Sequence, residues 1–459
     1  MKDRHAAARR WTFKRVILLL TSLIPSGLIA LLRPLGMSRP QGLVTAFLLL
    51  AIVWWSTRLV DRTVTSAVLL AAFCLFGNTP VTTVFTFPLS ETFVLIILSF
   101  LFSEGVKNSG LLDKLLLPIL ARWATSVNRV LWSMLLVNLG MIFIIPQPVS
   151  RIILVSMIYD RFFRQQGLEE KLRSPLLFFL HSSFVVVNMA FLRGDLILNN
   201  AVLSISGVPV SEGQWVCCMA VPSILFAVFG VLMFRIIFRR QLAEFPAVKA
   251  AERASWSKSE YRNLLIIAAT LLLWATEEFH GISGTMIVLG GTIAMVPLGL
   301  LRMPDLRCID IKLLVFLTAA FSIGGVMKTS GTAAVIFSQF SSLFPQQFSL
   351  FYLLLILVIT MVMHMILGSS ITTLSVVIPS MLIIGNGVVP TMVLIFSVYI
   401  IASAHGLLPL HNVITMIGEG RGCFQSGEMT RYGMAMTVPT LLFVLLVFFG
   451  WWNFIGVGA

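Results

Sequence analysis

The chain has 459 residues, 58% of them hydrophobic and 11% charged, with a mean hydropathy of +0.96 and a net charge of +14. A soluble domain carries roughly 25% charged residues, so the composition excludes an ordinary water-soluble fold and fits an exterior facing lipid. The Lys and Arg flank apolar runs instead of forming one basic face, which argues against nucleic acid and for membrane topology.

The first apolar run, Val16 to Leu32, has a basic flank and ends in Arg33 and Pro34 without a small-residue cleavage site, so it reads as a retained span and not a signal peptide. A helix needs ~20 apolar residues to cross the bilayer, and shorter runs serve as arms of re-entrant units. Further spans fall near Leu43–Thr57, Thr63–Gly77 and Thr92–Phe102, followed by an amphipathic, interfacial stretch at Leu111–Thr125 with Asp113, Lys114 and Arg122. Val130–Ile145 and Ile152–Phe162 are two apolar arms separated by Pro146, Gln147 and Pro148; Leu176–Phe191 and Trp215–Phe238 complete a first half. The second half repeats this order: Leu264–Thr276, Thr285–Leu298, Leu313–Met327, an interfacial stretch at Thr332–Leu343, arms at Leu350–Leu367 and Leu374–Ile384, a span from Thr391 and a last one near Leu441–Trp452. The five cysteines form no CxxC or Cys/His spacing, so neither a metal nor a disulfide framework is implied.

Matching landmarks tie the halves together. Lys107, Ser109 and Gly110 correspond to Lys328, Ser330 and Gly331 at an offset of 221 (328 minus 107), and Trp55 and Thr57 to Trp274 and Thr276 at an offset of 219 (274 minus 55). The predicted organisation is an N-terminus and first span (1–42), scaffold helices of repeat 1 (43–128), an inner hairpin with transport helices (129–240), a cytoplasmic linker (241–262), scaffold helices of repeat 2 (263–347), and an outer hairpin with transport helices (348–459). Lys2, Arg4, Arg9, Arg10, Lys14 and Arg15 predict a cytoplasmic N-terminus; Arg235, Arg239, Arg240, Lys249, Arg253, Lys258 and Arg262 predict a cytoplasmic linker. No Asp, Glu, Lys or Arg occurs from Thr329 to Gly418, where the second two-arm unit should open outward. An odd number of spans per half inverts the second copy. The expected fold is an all-α polytopic membrane protein, an inverted repeat with two re-entrant hairpins, two broken helices and about 11 spans.

Four breaks fall at apolar midpoints: Pro146–Pro148, Arg193–Asn200, Gly368–Thr373 and His405–Asn412. A helix stops in hydrocarbon only where its freed N–H and C=O groups find partners. Half-helix N-termini suit anions and unwound carbonyls suit cations, so the breaks predict one polar pocket near the midplane. The alternative reading is a set of ordinary proline kinks.

The order of these features resembles the divalent anion:sodium symporter family from roughly Leu43 to Gly450. The stretches Phe102 to Gly110 and Phe321 to Gly331 look like its paired glycine- and Lys-Thr-Gly-containing turns. Ser369, Ser370 and Ile371, ten residues before Pro379, sit where the family has Ser-Asn-Thr at the outer tip, and Pro146, Gln147 and Pro148 sit at the inner tip. Leu408 to Asn412, followed by Ile417 to Gly420, resembles the second broken helix and its Pro-Pro-Asn turn. Neither hairpin keeps Ser-Asn-Thr, and neither broken helix keeps Pro-Pro-Asn. The resemblance implies a homodimeric, elevator-type secondary transporter of di- or tricarboxylates or sulfate in a bacterial inner membrane, ion-coupled or exchanging. It implies no cofactor beyond sodium ions or protons for coupling.

Ionisable side chains inside a membrane are expensive, which singles out Arg151, Arg193 and Asp195 beside the breaks. A fixed guanidinium there takes over the charge role of a first sodium ion, and its planar fork fits a carboxylate or sulfate oxygen pair. Asp195 either pairs with an Arg or carries a coupling proton; Arg151 otherwise snorkels to the interface. Gln147, Asn199, Ser369, Ser370, Thr372, Thr373 and Asn412 complete the predicted substrate site, and Asp195, Ser369, Thr373, His405 and His411 the predicted coupling site. His364, His181, Asn188 and Asn200 are secondary candidates, and Ser182 and Ser183 read as helix–helix hydrogen bonders. Few, scattered acidic residues and the lack of a long soluble loop argue against a membrane enzyme. A channel would show a symmetric filter. An arsenite or sodium/proton transporter of the same architecture is the main competing reading.

Overall fold

The computed structural model describes residues 18–57, 59–243, 245, 257–338 and 344–458. The basic cluster from Lys2 to Arg15, and Lys249 and Arg253 of the linker, lie outside the described residues. All regular structure among the described residues is helical. Among the described residues, four helices are by themselves long and apolar enough to cross a bilayer: Glu212–Ile237, Met303–Thr329, Leu350–Leu367 and Ser426–Phe454. Glu91–Asn108 and Leu111–Trp123 make a fifth if counted across their 65° bend, and seven shorter apolar helices accompany them. Three of these seven, Val127–Ile142, Ser370–Ile384 and Thr391–Ala404, begin or end at a predicted break, where a span is interrupted.

Serine supplies the helix starts: Ser90, Ser126, Ser283 and Ser349 each accept from the backbone N–H three residues on, and Ser211 and Ser257 form capping boxes with Gln214 and Glu260. Helix Glu212–Ile237 is apolar all round. Val221, Leu225, Val228, Leu232 and Ile236 face outward, while Trp215, Met219, Ser223 and Phe226 pack inward. That is how a helix in lipid differs from an amphipathic one. Pro222 removes the N–H that would bond Cys218 O. Trp452 Nε1 donates to that carbonyl instead, at 3.0 Å, and Trp451 Nε1 donates to Cys217 O at 2.8 Å.

The chain divides into two compact units. One comprises Met1–Leu89, Ser204–Gly207 and Asp310–Val398, the other Ser90–Leu203, Val208–Ile309 and Tyr399–Ala459. In the first, Arg39–Thr57 and Arg62–Phe76 pack with Ile311–Thr329. Phe47 stacks on Phe76 at 5.7 Å and Trp55 meets Phe316 edge-on at 5.2 Å. In the second, Val127–Ile142 lies along Glu170–Asn188, and Glu91–Asn108 along Gly284–Met295. Lys114 reaches Glu260 at 2.5 Å. That bond, and then the Ser257 N–H, hold the Glu260 carboxyl down at about 2.

The paired lysine turns have one geometry. Ser109 N bonds Gly105 O and Gly110 N bonds Lys107 O; Ser330 N bonds Val326 O and Gly331 N bonds Lys328 O. Gly110 and Gly331 have φ of +65° and +70°. In each, the serine hydroxyl donates back to the carbonyl three residues earlier. Glu104 pairs with Lys107 at 2.7 Å.

Candidate functional site

The first hairpin consists of Val127–Ile142 and Pro148–Gln165. Ser133 Oγ and Tyr159 OH, 3.0 Å apart, close it as a rung, and Pro146 lies midway between them in sequence. At the tip Pro148 occupies the first helical turn, where its missing N–H leaves no bond unmade. Gln147 caps that helix, its Oε1 accepting from Ser150 N at 2.6 Å. One turn on, Arg151 is fully buried. It does not snorkel. Its Nη1 donates to Ile145 O at 2.8 Å, and its Nη2 donates to Asn188 Oδ1 at 2.9 Å and to Gly194 O. The guanidinium also lies over the Phe184 ring, 4.9 Å from its centroid.

The first broken span runs from Glu170–Asn188 through one 3-10 turn, Leu192–Gly194, into Leu198–Ser206. Nearly every carbonyl named at this break has an identifiable partner. Asn199 Nδ2 donates to Asn188 O, Phe191 O and Leu192 O, while its Oδ1 accepts from Tyr399 OH at 2.5 Å. Trp215 Nε1 donates to Met189 O at 3.0 Å, and Arg151 takes Gly194 O. A Cβ at Gly194 would collide with the Asn188 backbone, so the break folds back too closely for any other residue. Asn199, expected as a substrate ligand, has both ends of its amide engaged in holding the break open.

Arg193 and Asp195 turn to different partners. Asp195 Oδ1 accepts from Ile197 N at 3.0 Å and Leu198 N at 2.9 Å, capping the short helix. Arg193 turns instead to Trp274 O at 2.5 Å and Glu277 at 2.9 Å, with Glu212 at 3.6 Å and the Trp274 ring 5.1 Å away. Glu91, Glu212 and Glu277 line, with Arg193, a cavity of about 400 Å³. Two carboxylates on one guanidinium, Glu277 and Glu212, leave it poorly suited to a dianion.

The second broken span repeats the same backbone path. Thr391–Ala404 ends, Pro409–His411 makes a 3-10 turn, and Val413–Gly420 follows. The residue before each 3-10 turn is extended, Phe191 at φ −129° and Leu408 at φ −127°. The residue after it caps a short helix: Asp195, and Asn412 with Oδ1 accepting from Ile414 N at 2.8 Å. These caps lie 217 apart (412 minus 195). His411 Nδ1 accepts from Leu407 N at 3.1 Å and Leu408 N at 3.3 Å, which fixes that nitrogen as an unprotonated turn acceptor. His405 Nε2 lies 3.1 Å from Thr437 Oγ1, and its Nδ1 is buried without a partner among the described residues. A cavity of about 40 Å³ beside His405, Asn412, Thr415 and Tyr432 has room for a water-sized group but not a dicarboxylate. His181, through Leu177 O at 2.7 Å and Ser156 at 3.3 Å, joins this helical layer to the first hairpin.

The second hairpin, Leu350–Leu367 and Ser370–Ile384, belongs to the other unit. Tyr352 OH donates to Ile384 O at 3.3 Å, and Gly368 lies midway between those two residues. Gly368 has φ of +61°, a left-handed turn that favours glycine. Thr373 Oγ1 donates to Ser369 O at 2.8 Å and lies 2.9 Å from His364 Nδ1. Among the described residues, Ser369 caps without a side-chain bond and Thr372 Oγ1 is buried without a partner.

The family model of the sodium:sulfate symporter transmembrane region matches residues 12–457. The chain belongs to the sodium:sulfate symporter family. It is therefore an integral membrane protein and a secondary anion transporter, not an enzyme. No curated protein matches it. Membership fits the interrupted helices, and the residues that sequence reasoning passed over are those that satisfy the interruptions. Trp215 and Tyr399 read as core aromatics, and only their polar atoms reveal the role.

Proposed function

We propose that this symporter-family protein carries small divalent anions, sulfate or a di- or tricarboxylate, by elevator-like alternating access. The observation that carries this reading is Arg151: a fully buried arginine at a hairpin tip, bonded across to the adjacent broken span. Its carboxylate neighbour Asp195 lies beyond ion-pair distance and is turned to Ile197 N and Leu198 N, and a buried positive charge left without an ion pair among the described residues favours a negative ligand. Gln147 and Asn188 stand beside it. Arg193, with two carboxylates already around it, holds the first break against Trp274 and Glu277 and leaves anion binding to Arg151. In the second hairpin, Ser369, Thr372 and Thr373 present hydroxyl and carbonyl oxygens without a fixed charge, a chemistry that suits a sodium ion.

Uptake of radiolabelled sulfate, succinate, citrate and tartrate into proteoliposomes, with and without sodium and a pH gradient, tests the reading. Saturable uptake of at least one of these anions, accelerated by the same unlabelled anion inside, is the expected result. Flux that stays linear in concentration and shows no trans-stimulation would replace the carrier with a channel.

A further inference from the structure

Arg151 occupies, with one side chain, oxygen atoms of the kind that unwound backbone offers to a metal cation. Ile145 O belongs to the loop before Pro146, Gly194 O to the 3-10 turn of the broken span, and Asn188 Oδ1 to the last residue of the helix that breaks. Unwound carbonyls and half-helix C-terminal ends are the groups that coordinate sodium in broken-helix carriers. Here they already receive N–H bonds from a guanidinium, and a second cation beside that buried charge would be repelled.

The donors in the same cluster are left over. Arg151 Nε, Gln147 Nε2 and Asn188 Nδ2 are each buried and have no hydrogen-bond partner among the described residues. Gln147 lies one helical turn before Arg151, and Asn188 is bonded to it. Buried donors normally find a partner, and an exception calls for an explanation. Three N–H donors around one positive charge, with the neighbouring acceptors engaged, suit an oxyanion.

We propose that Arg151 is a resident cation of the first hairpin. It stands where a metal ion would otherwise bridge the tip to the broken span, and it binds one oxyanion group of the substrate together with Gln147 and Asn188. The proposal rests on the carrier reading above and adds to it that this hairpin needs no sodium. Any sodium dependence then arises elsewhere.

The test measures affinity of the purified full-length protein for the anion identified by uptake, with sulfate and succinate as the two probes that separate a tetrahedral from a planar oxyanion group. Arg151→Ala should bind roughly tenfold or more weakly, the loss of a charge-assisted hydrogen bond. Added guanidinium ion, or raised sodium, should return most of that loss, while guanidinium leaves the wild type unchanged. Arg151→Lys, which keeps the charge, should fall between the two and serves if the alanine variant does not fold. Gln147→Ala should weaken binding with no rescue by either cation. Unchanged affinity in Arg151→Ala overturns the proposal, as does a loss that neither cation restores. If the wild type carries none of the anions, the carrier reading fails instead, so the two failures are distinguishable.

Discussion

In the hairpin closed by Ser133 and Tyr159, the residue one turn past the tip is Arg151, bonded to Ile145 O before the turn and across to Asn188 and Gly194 of the broken span. In the hairpin closed by Tyr352 and Ile384, the residue one turn past the tip is Thr373, whose hydroxyl bonds back to Ser369 O within its own helix. Arg151 and Thr373 are 222 apart (373 minus 151), close to the offset of the lysine turns. The same backbone device therefore carries a fixed charge in one copy and a neutral hydroxyl in the other. A reversal in apolar surroundings requires only that its freed polar groups be satisfied, and a side chain of either kind does that. What the side chain leaves over decides which ions the tip attracts.

The largest effect should come from Arg151→Met. It strands Ile145 O and Gly194 O, at ~1–3 kcal/mol each, and thermal unfolding in detergent should fall well below wild type. Thr373→Val, at the matching place, should cost only about 1 kcal/mol. Equal losses would break the contrast. Next comes the shape of the tips. Gly368→Ala places a side chain at φ +61° and should cost roughly 1–2 kcal/mol. Pro146→Ala, at a tip with no positive φ among its described residues, should cost about 0.5–1 kcal/mol, mostly through the unfolded chain. The broken spans sharpen the comparison from the other side. Asp and Asn are equivalent caps, so Asp195→Asn, which makes the first cap like the neutral Asn412, should keep the stability within ~0.5 kcal/mol; a large loss would show that the matching caps do different work. The smallest effect belongs to a contact outside the hairpins. Glu260 has its carboxyl depressed from 4.5 to about 2, so its contribution is complete above the ordinary value and lost as pH falls through about 2. Glu260→Gln should lower the melting temperature slightly at neutral pH, and the gap should close in acid.

Proline, glycine and stray charge inside apolar runs made the breaks legible, and the structure puts a helix end at each. Proline removes a donor, positive φ needs glycine, and both leave a mark in the linear sequence. The division of labour between the two arginines was not legible. Arg193 is held by Trp274 and Glu277, 81 and 84 positions away, and Asn199 by Tyr399, 200 positions away. Local reading gave Asp195 an arginine partner or a coupling proton, but an aspartate three residues before a helix start has backbone N–H groups close to hand. Long-range partners set the role of a buried polar group, and one sequence does not print them.

The carbonyl uncovered by Pro222 is closed by an indole 234 residues further on. When the helix Glu212–Ile237 first enters the bilayer, that peptide oxygen lacks this partner, and it gains it only after Trp452 has been made. A prematurely terminated chain thus differs from the finished one by more than a missing tail. It retains an open dipole in an oily phase, a defect of several kcal/mol that the Trp452 indole removes.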